Sequence, residues 1–232
     1  MIFDDRADAG RRLAQRLAHL RAEDPVVVGL PRGGVPVAVE VAQALEAPLD
    51  VIVVRKLGVP NQPEYAMGAV GDGGVLVVNE AVVRQVGVQR EEFLMVVAQE
   101  RAEVQRRAHR FRGDRPAISL AGRTVVVVDD GIATGATARA ACRVVRAAGA
   151  ARVVLAVPVA PMDWLATIGP DADEMIALHR PRHLHAVGQY YVDFAQTSDE
   201  EVIACLERAS SRNLPQGPRA PPTQVDRPGL RR

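Results

Sequence analysis

Apolar residues in this chain fall into two rhythms. Short β-branched runs, VVVGL at 26–30, DVIVVR at 50–55, TVVVV at 124–128 and ARVVLAVPVA at 151–160, lack polar alternation. Such runs fit strands buried on both faces, as in parallel sheets. Between them, apolar residues recur at helical spacing. Leu13, Leu17 and Leu20 predict an amphipathic helix over 5–20, VAVEVAQALEA a helix over 37–47, and TARAACRVVRAA one over 137–148 closed by Gly149. A polar-apolar helical pattern runs from Glu91 to Arg110, until Gly113, Asp114 and Pro116 break it. AMGAV and VLVVN flank the turn GDGG at 71–74 and predict a β-hairpin. Strand and helix patterns thus alternate. With right-handed crossovers they give an α/β fold, a doubly wound, mainly parallel sheet whose ligands sit at the carboxyl ends of the strands.

Composition narrows the partners. A chain of 232 residues is long enough to bury about 70–75% of its unfolded surface in one core. One domain is expected over 1–209, followed by a disordered tail over 210–232, where Pro, Arg and Gly crowd and apolar periodicity ends. A formal net charge of +1 with both signs interspersed gives no general reason to bind nucleic acid or membrane, so small molecules are the expected partners. Neither an apolar leader at the first residues nor an uncharged membrane-length stretch is present, and a cytoplasmic location is expected. Cys142 and Cys205 lie in separate helical patterns and read as small apolar residues. The spacing of His179, His183 and His185, interrupted by a proline and unaccompanied by cysteine, does not make a zinc set.

The candidate chemistry lies where strands end. In VVVVDDGIATGAT, 125–137, a buried-strand run delivers Asp129 and Asp130 and then a turn of small residues. The carboxylates are acceptor-only groups suited to vicinal hydroxyls or, through water, to a divalent cation. Ala133, Thr134, Gly135, Ala136 and Thr137 open the next helical pattern without a bulky side chain, so successive backbone N–H groups can converge on an anion. The first strand run ends similarly, in Pro31, Arg32, Gly33 and Gly34, which allow close backbone approach and add one guanidinium. Walker A and dinucleotide fingerprints are absent. Lys56 is the only lysine in the chain, placed after DVIVVR and before the Pro-rich stretch LGVPNQPEYA, which reads as a polar loop.

The 125–137 segment matches the signature with which type I phosphoribosyltransferases bind phosphoribosyl pyrophosphate, and the chain resembles that family over most of 20–160. The resemblance implies magnesium as cofactor, ribose hydroxyls and metal at Asp129 and Asp130, the 5′-phosphate at Ala133 to Thr137, and pyrophosphate at Arg32, Gly33 and Gly34. Adenine and orotate phosphoribosyltransferases also carry an Arg-Lys pair at a strand end, which sets Arg55 and Lys56 toward pyrophosphate. Glu64, in the expected loop, is a candidate acid or base. The acceptor would lie under a hood drawn from 160–196, where Trp164, Tyr190, Tyr191 and Phe194 offer a stacking surface and Tyr190 is the expected contact. Ala133 stands where 6-oxopurine enzymes of the family have a proton-accepting aspartate, so the expected acceptor is a nucleobase other than a 6-oxopurine. The family also leaves room for a homodimer, and for a second reading in which the same fold senses phosphoribosyl pyrophosphate or a nucleotide without turnover.

Overall fold

The computed structural model describes residues 1–212, apart from the side chains at 63, 64 and 212. Five parallel strands form the main sheet: β1 (Val26–Gly29), β2 (Leu49–Val51), β6 (Thr124–Val128), β7 (Arg152–Val159) and β8 (Glu174–His179), in the order β2-β1-β6-β7-β8. A second, antiparallel sheet contains β3 (Val54–Val59), β4 (Gln62–Gly71) and β5 (Leu76–Val78). The helices are α1 (Arg6–Leu17), α2 (Gly34–Leu45), α3 (Glu80–Val86), α4 (Arg90–Arg112), α5 (Ala136–Ala147), α6 (Trp164–Ile168) and α7 (Asp199–Arg212). The doubly wound sheet expected from the alternating patterns is present.

Period-two alternation within the valine runs builds both halves of the core. Val26, Val28, Val125, Val127, Val153 and Leu155 pack with Ala141, Val144 and Val145 of α5 on one face. Val27, Val126, Val128, Val154 and Ala156 point the other way, into a layer with Leu13 and Leu17 of α1, Val37 and Val41 of α2 and Val202 and Leu206 of α7. Positions 26–28, 125–128 and 153–159 are therefore covered on both faces, and all of them are apolar. Cys142 and Cys205 are buried and unbridged. Among the described residues, no helix is long and apolar enough to cross a membrane.

The strand order also locates the crevice. From β1 the chain crosses through α2 to β2 on one side, and from β6 it crosses through α5 to β7 on the other. Strand order thus reverses between β1 and β6, the place where open α/β sheets bind ligands. Gly29 pairs with Val128, so both strands end level and their following loops emerge side by side.

Three local expectations are corrected. DVIVVR is not one strand: it breaks after Val51, and β3 begins at Val54 in the other sheet. The break is fixed by a buried ionic knot. Arg112 donates to Asp50 at 2.7 Å and to the Val51 carbonyl at 2.7 Å, and it also pairs with Asp72 in the turn before β5. The stretch expected to be a polar loop is instead the β3–β4 hairpin, its strands paired from Val54↔Gly71 to Val59↔Gln62 around Pro60 and Asn61. Asn61 takes the left-handed φ of 64° at the tip. A proline-rich stretch in isolation gives no sign that an antiparallel partner will order it. The helical pattern around Cys205 continues as α7 to Arg212, three residues into the expected tail, and the remainder of that tail lies outside the described residues. The hairpin about GDGG forms as expected, with Gly68, Ala69 and Val70 of β4 facing Val78, Val77 and Leu76 of β5.

Candidate functional site

Two loops meet at the crevice with no room for side chains between them. The loop after β1 turns through Pro31 and Arg32, joined by a cis peptide bond, and enters α2 at Gly34. A Cβ on Gly33 would lie 2.7 Å from Cγ of Asp130, and one on Gly34 would lie 2.8 Å from Cα of Asp129. Gly33 has φ −62° and ψ −30°, which any residue adopts, so its glycine is a demand for space and not for conformation. This contact between residues about 100 positions apart brings the Arg-Gly-Gly turn and the paired carboxylates into one site.

The two carboxylates are partly buried and held differently. Asp129 Oδ1 accepts the backbone N–H of Asp130 at 2.9 Å. Asp130 Oδ2 accepts Nε of Arg6 at 2.9 Å, and the Asp130 carbonyl accepts the Tyr191 hydroxyl at 2.6 Å. Burial raises the carboxyl of Asp129 well above its ordinary range, and the charge of Asp130 adds to that. Burial also raises Asp130, with the Arg6 guanidinium pulling against it. Two adjacent, desolvated carboxylates suit a hard divalent cation reached through water or ligand hydroxyls. Among the described residues no group of three or more His, Cys, Asp or Glu side chains could hold a metal ion.

Beyond the carboxylates, Ala133, Thr134, Ala136 and Thr137 are exposed, while Gly135 is buried and adopts φ 78° as the residue before α5. A left-handed residue here turns the chain sharply into the helix. No side chain caps α5 and no acidic residue lies in its first turn, so its leading N–H groups are left able to donate to an anion. A cleft of about 480 Å³ connects this turn to the first loop: Pro31, Arg32 and Thr137 line it together with Arg106, Arg107 and Arg110 of α4.

Arg55 and Lys56 are neighbours on β3, opposite Val70 and Ala69 of β4. Successive strand residues point to opposite faces, so the pair does not project together. Arg55 donates to Glu100 of α4 at 2.7 Å and lines a separate groove with Gln99 and Glu103. The backbone of Glu64 belongs to β4, and its side chain lies outside the described residues.

The aromatic stretch is divided. Trp164 is 1% exposed and belongs to the core, so it offers no stacking face. Tyr191 packs on Phe3 and Phe194, with ring centroids 5.4 and 4.9 Å away, and Tyr190 packs on His179 at 5.1 Å. The N-terminal residues hold this stretch through Phe3 N–H to the Tyr190 carbonyl and Val192 N–H to the Phe3 carbonyl, each 2.8 Å. Arg6 lies 4.1 Å from the Phe194 ring centroid and donates to the Ala195 carbonyl. The hood is thus fastened to Asp130 through Arg6 and Tyr191. Sequence reasoning missed Arg6, since an arginine in an amphipathic helix carries no sign of a partner 124 residues away. It also missed the α4 arginines, which carried no mark beyond a polar-apolar helical pattern.

Glycine loop, paired carboxylates and the uncapped start of α5 gather at the reversal of strand order. The model of the phosphoribosyl transferase domain matches residues 2–193, and the chain belongs to that family. It is 59% identical over 208 residues to a Mycobacterium tuberculosis protein provisionally named a phosphoribosyl transferase, with 90% of this chain covered and 47% of that protein. The chain therefore spans about half the length of the curated relatives it matches. The crystal structure of TT1426 from Thermus thermophilus is 47% identical and superposes with a TM-score of 0.83, covering 90% of this chain and 99% of that one.

Proposed function

We propose that the chain binds phosphoribosyl pyrophosphate with magnesium and transfers the phosphoribosyl group to an acceptor nitrogen, a nucleobase other than a 6-oxopurine. The observation that carries this reading is the contact of Gly33 and Gly34 with Asp130 and Asp129, which supports one continuous surface for pyrophosphate and ribose hydroxyls. Family membership supports the same substrate.

In this mechanism the N–H groups leading α5, with Thr134 and Thr137, hold the 5′-phosphate. Asp129 and Asp130 accept hydrogen bonds from the ribose hydroxyls and fix the ring. Arg32 and the backbone at Gly33 and Gly34 grip the pyrophosphate. Asp129 and Asp130 would hold magnesium through water, and the cation would offset the charge of the pyrophosphate. As the C1–O bond breaks, pyrophosphate leaves with the electron pair, and the carboxylates lie near the positive charge left on the ring. The acceptor nitrogen then forms the C1–N bond and loses its proton, for which Glu64 is the proposed acceptor. Lys56 is assigned to the charge on departing pyrophosphate and Tyr190 to the acceptor side, while Arg55, held by Glu100 in a separate groove, is left out of that role. Ala133 has no group that takes a proton, which supports exclusion of 6-oxopurines. General-base assistance contributes about 10²–10⁴ in rate.

Calorimetry with phosphoribosyl pyrophosphate and magnesium tests the binding half. Asp129→Asn combined with Asp130→Asn removes charge-assisted hydrogen bonds worth about 1.5–3 kcal/mol each, and undiminished affinity would sink the diol assignment. Pyrophosphate release across a panel of nucleobases tests transfer. Brisk turnover with hypoxanthine or guanine defeats the argument from Ala133. Tight binding with no turnover on any base moves the protein to the sensing class.

A further inference from the structure

Most of the cleft wall comes from neither motif. Its charged lining is Arg32 after β1, Arg106, Arg107 and Arg110 on α4, and Asp199 at the start of α7, four guanidiniums against one carboxylate. Asp199 bridges two elements far apart in the chain: Oδ1 lies 3.8 Å from Nη1 of Arg32, and Oδ2 pairs with Nε of Arg110. Its carboxylate is not what caps α7. Ser198 and Glu201 do that reciprocally, Ser198 Oγ accepting the Glu201 N–H at 3.1 Å and Glu201 accepting the Ser198 N–H at 2.7 Å.

The other arginines are lightly held. Arg106 and Arg107 share Glu103 at 2.8 and 2.6 Å in largely exposed pairs, a class of contact that contributes little and exchanges readily. Arg55, one of the two cations of the strand-end motif, lines a different groove and is bound by Glu100. The cations that share the cleft with the Arg-Gly-Gly turn are therefore those of α4. A carboxylate set between two guanidiniums has the charge and acceptor geometry of a phosphate group, with fewer oxygens and less charge.

We propose that Arg110 and Arg106 join Arg32 to hold the diphosphate end of the ligand, and that Asp199 is an internal competitor which clamps Arg32 and Arg110 until a diphosphate displaces it. This rests on the phosphoribosyl pyrophosphate reading, and assigns the far end of that ligand to α4 and α7. The exchange is favourable because a diphosphate brings more charge and more acceptor oxygens than one carboxylate to the same donors. Opposite signs follow for neighbouring substitutions. Arg110→Gln loses a cation from the site, whereas Asp199→Asn removes the competitor and leaves the helix cap intact.

Inorganic pyrophosphate is titrated by calorimetry into wild type, Arg110→Gln, Arg106→Gln and Asp199→Asn, with ribose 5-phosphate in parallel as the probe of the other half. The expected result is pyrophosphate affinity about tenfold or more lower in Arg110→Gln, a smaller loss in Arg106→Gln, a gain in Asp199→Asn, and unchanged ribose 5-phosphate affinity throughout. Wild-type pyrophosphate affinity in Arg110→Gln, or weaker binding in Asp199→Asn, overturns the proposal. Asp199→Asn decides it alone if Arg110→Gln does not fold. Uptake of ribose 5-phosphate without pyrophosphate overturns the cleft assignment and leaves the phosphoribosyl site standing. Pyrophosphate binding with the expected signs but no uptake of ribose 5-phosphate supports the cleft and defeats the phosphoribosyl reading.

Discussion

Replacing Gly33 by alanine adds one methyl group where the loop after β1 meets the carboxylates after β6. That carbon would lie 2.7 Å from Cγ of Asp130 and 3.2 Å from Nε of Arg6. Carbon atoms are at ease near 3.5–4.0 Å, so something must yield by about 1 Å. The Asp130 side chain cannot swing away freely, because Arg6 holds it at 2.9 Å and is itself stacked on Phe194. Overpacking of this kind costs about 1–3 kcal/mol in stability. A reacting group misplaced by about 1 Å loses on the order of 10²-fold in rate, and comparable harm to phosphoribosyl pyrophosphate binding is expected. Urea denaturation and calorimetry measure the two effects. Gly73→Ala is the control: its φ of 67° strains any side chain but nothing lies within 4 Å, so it should cost about 1–2 kcal/mol and leave affinity alone. Truncating the obstacle as well, in Gly33→Ala with Asp130→Ala, should be less destabilising than the two single losses added together. Stability and affinity of Gly33→Ala equal to wild type would refute the close-contact reasoning outright.

Arg112→Ala should lower unfolding free energy by about 3–5 kcal/mol in urea titrations, because it leaves Asp50 and Asp72 as uncompensated charges at a buried position. Asp129→Asn should stabilise the protein at neutral pH while it weakens ligand binding. The folded protein holds the Asp129 proton more tightly than the unfolded chain does, so stability falls as pH rises from 3.8 through the raised folded value; thermal denaturation should show the mutant's advantage vanish in acid. Arg6→Ala removes the hydrogen bond that opposes the upward shift of Asp130. The pH midpoint of phosphoribosyl pyrophosphate binding should rise, and an unchanged midpoint would assign Arg6 to hood packing alone.

Residues close in sequence settled a good deal by themselves. Positions 26–28, 125–128 and 153–159 are apolar without interruption, the pattern of strands covered on both sides, and the sheet follows with its loops at the crevice. The motifs after β1 and β6 are equally local, since a strand that ends in glycines or carboxylates displays them wherever the sheet is placed. What the folded chain alone decided is which distant groups meet. DVIVVR had to be divided between two sheets by Arg112, Asp50 and Asp72 before β3 could pair with β4 and turn an expected loop into a hairpin. Trp164 was taken into the core and Arg6 was carried to Asp130, as Arg110 was to Asp199. Periodicity reports how one segment divides its surface between solvent and core, over a few residues. The partner that an arginine finds across the fold depends on the packing of whole elements, whose loop-closure cost and buried area belong to no single segment.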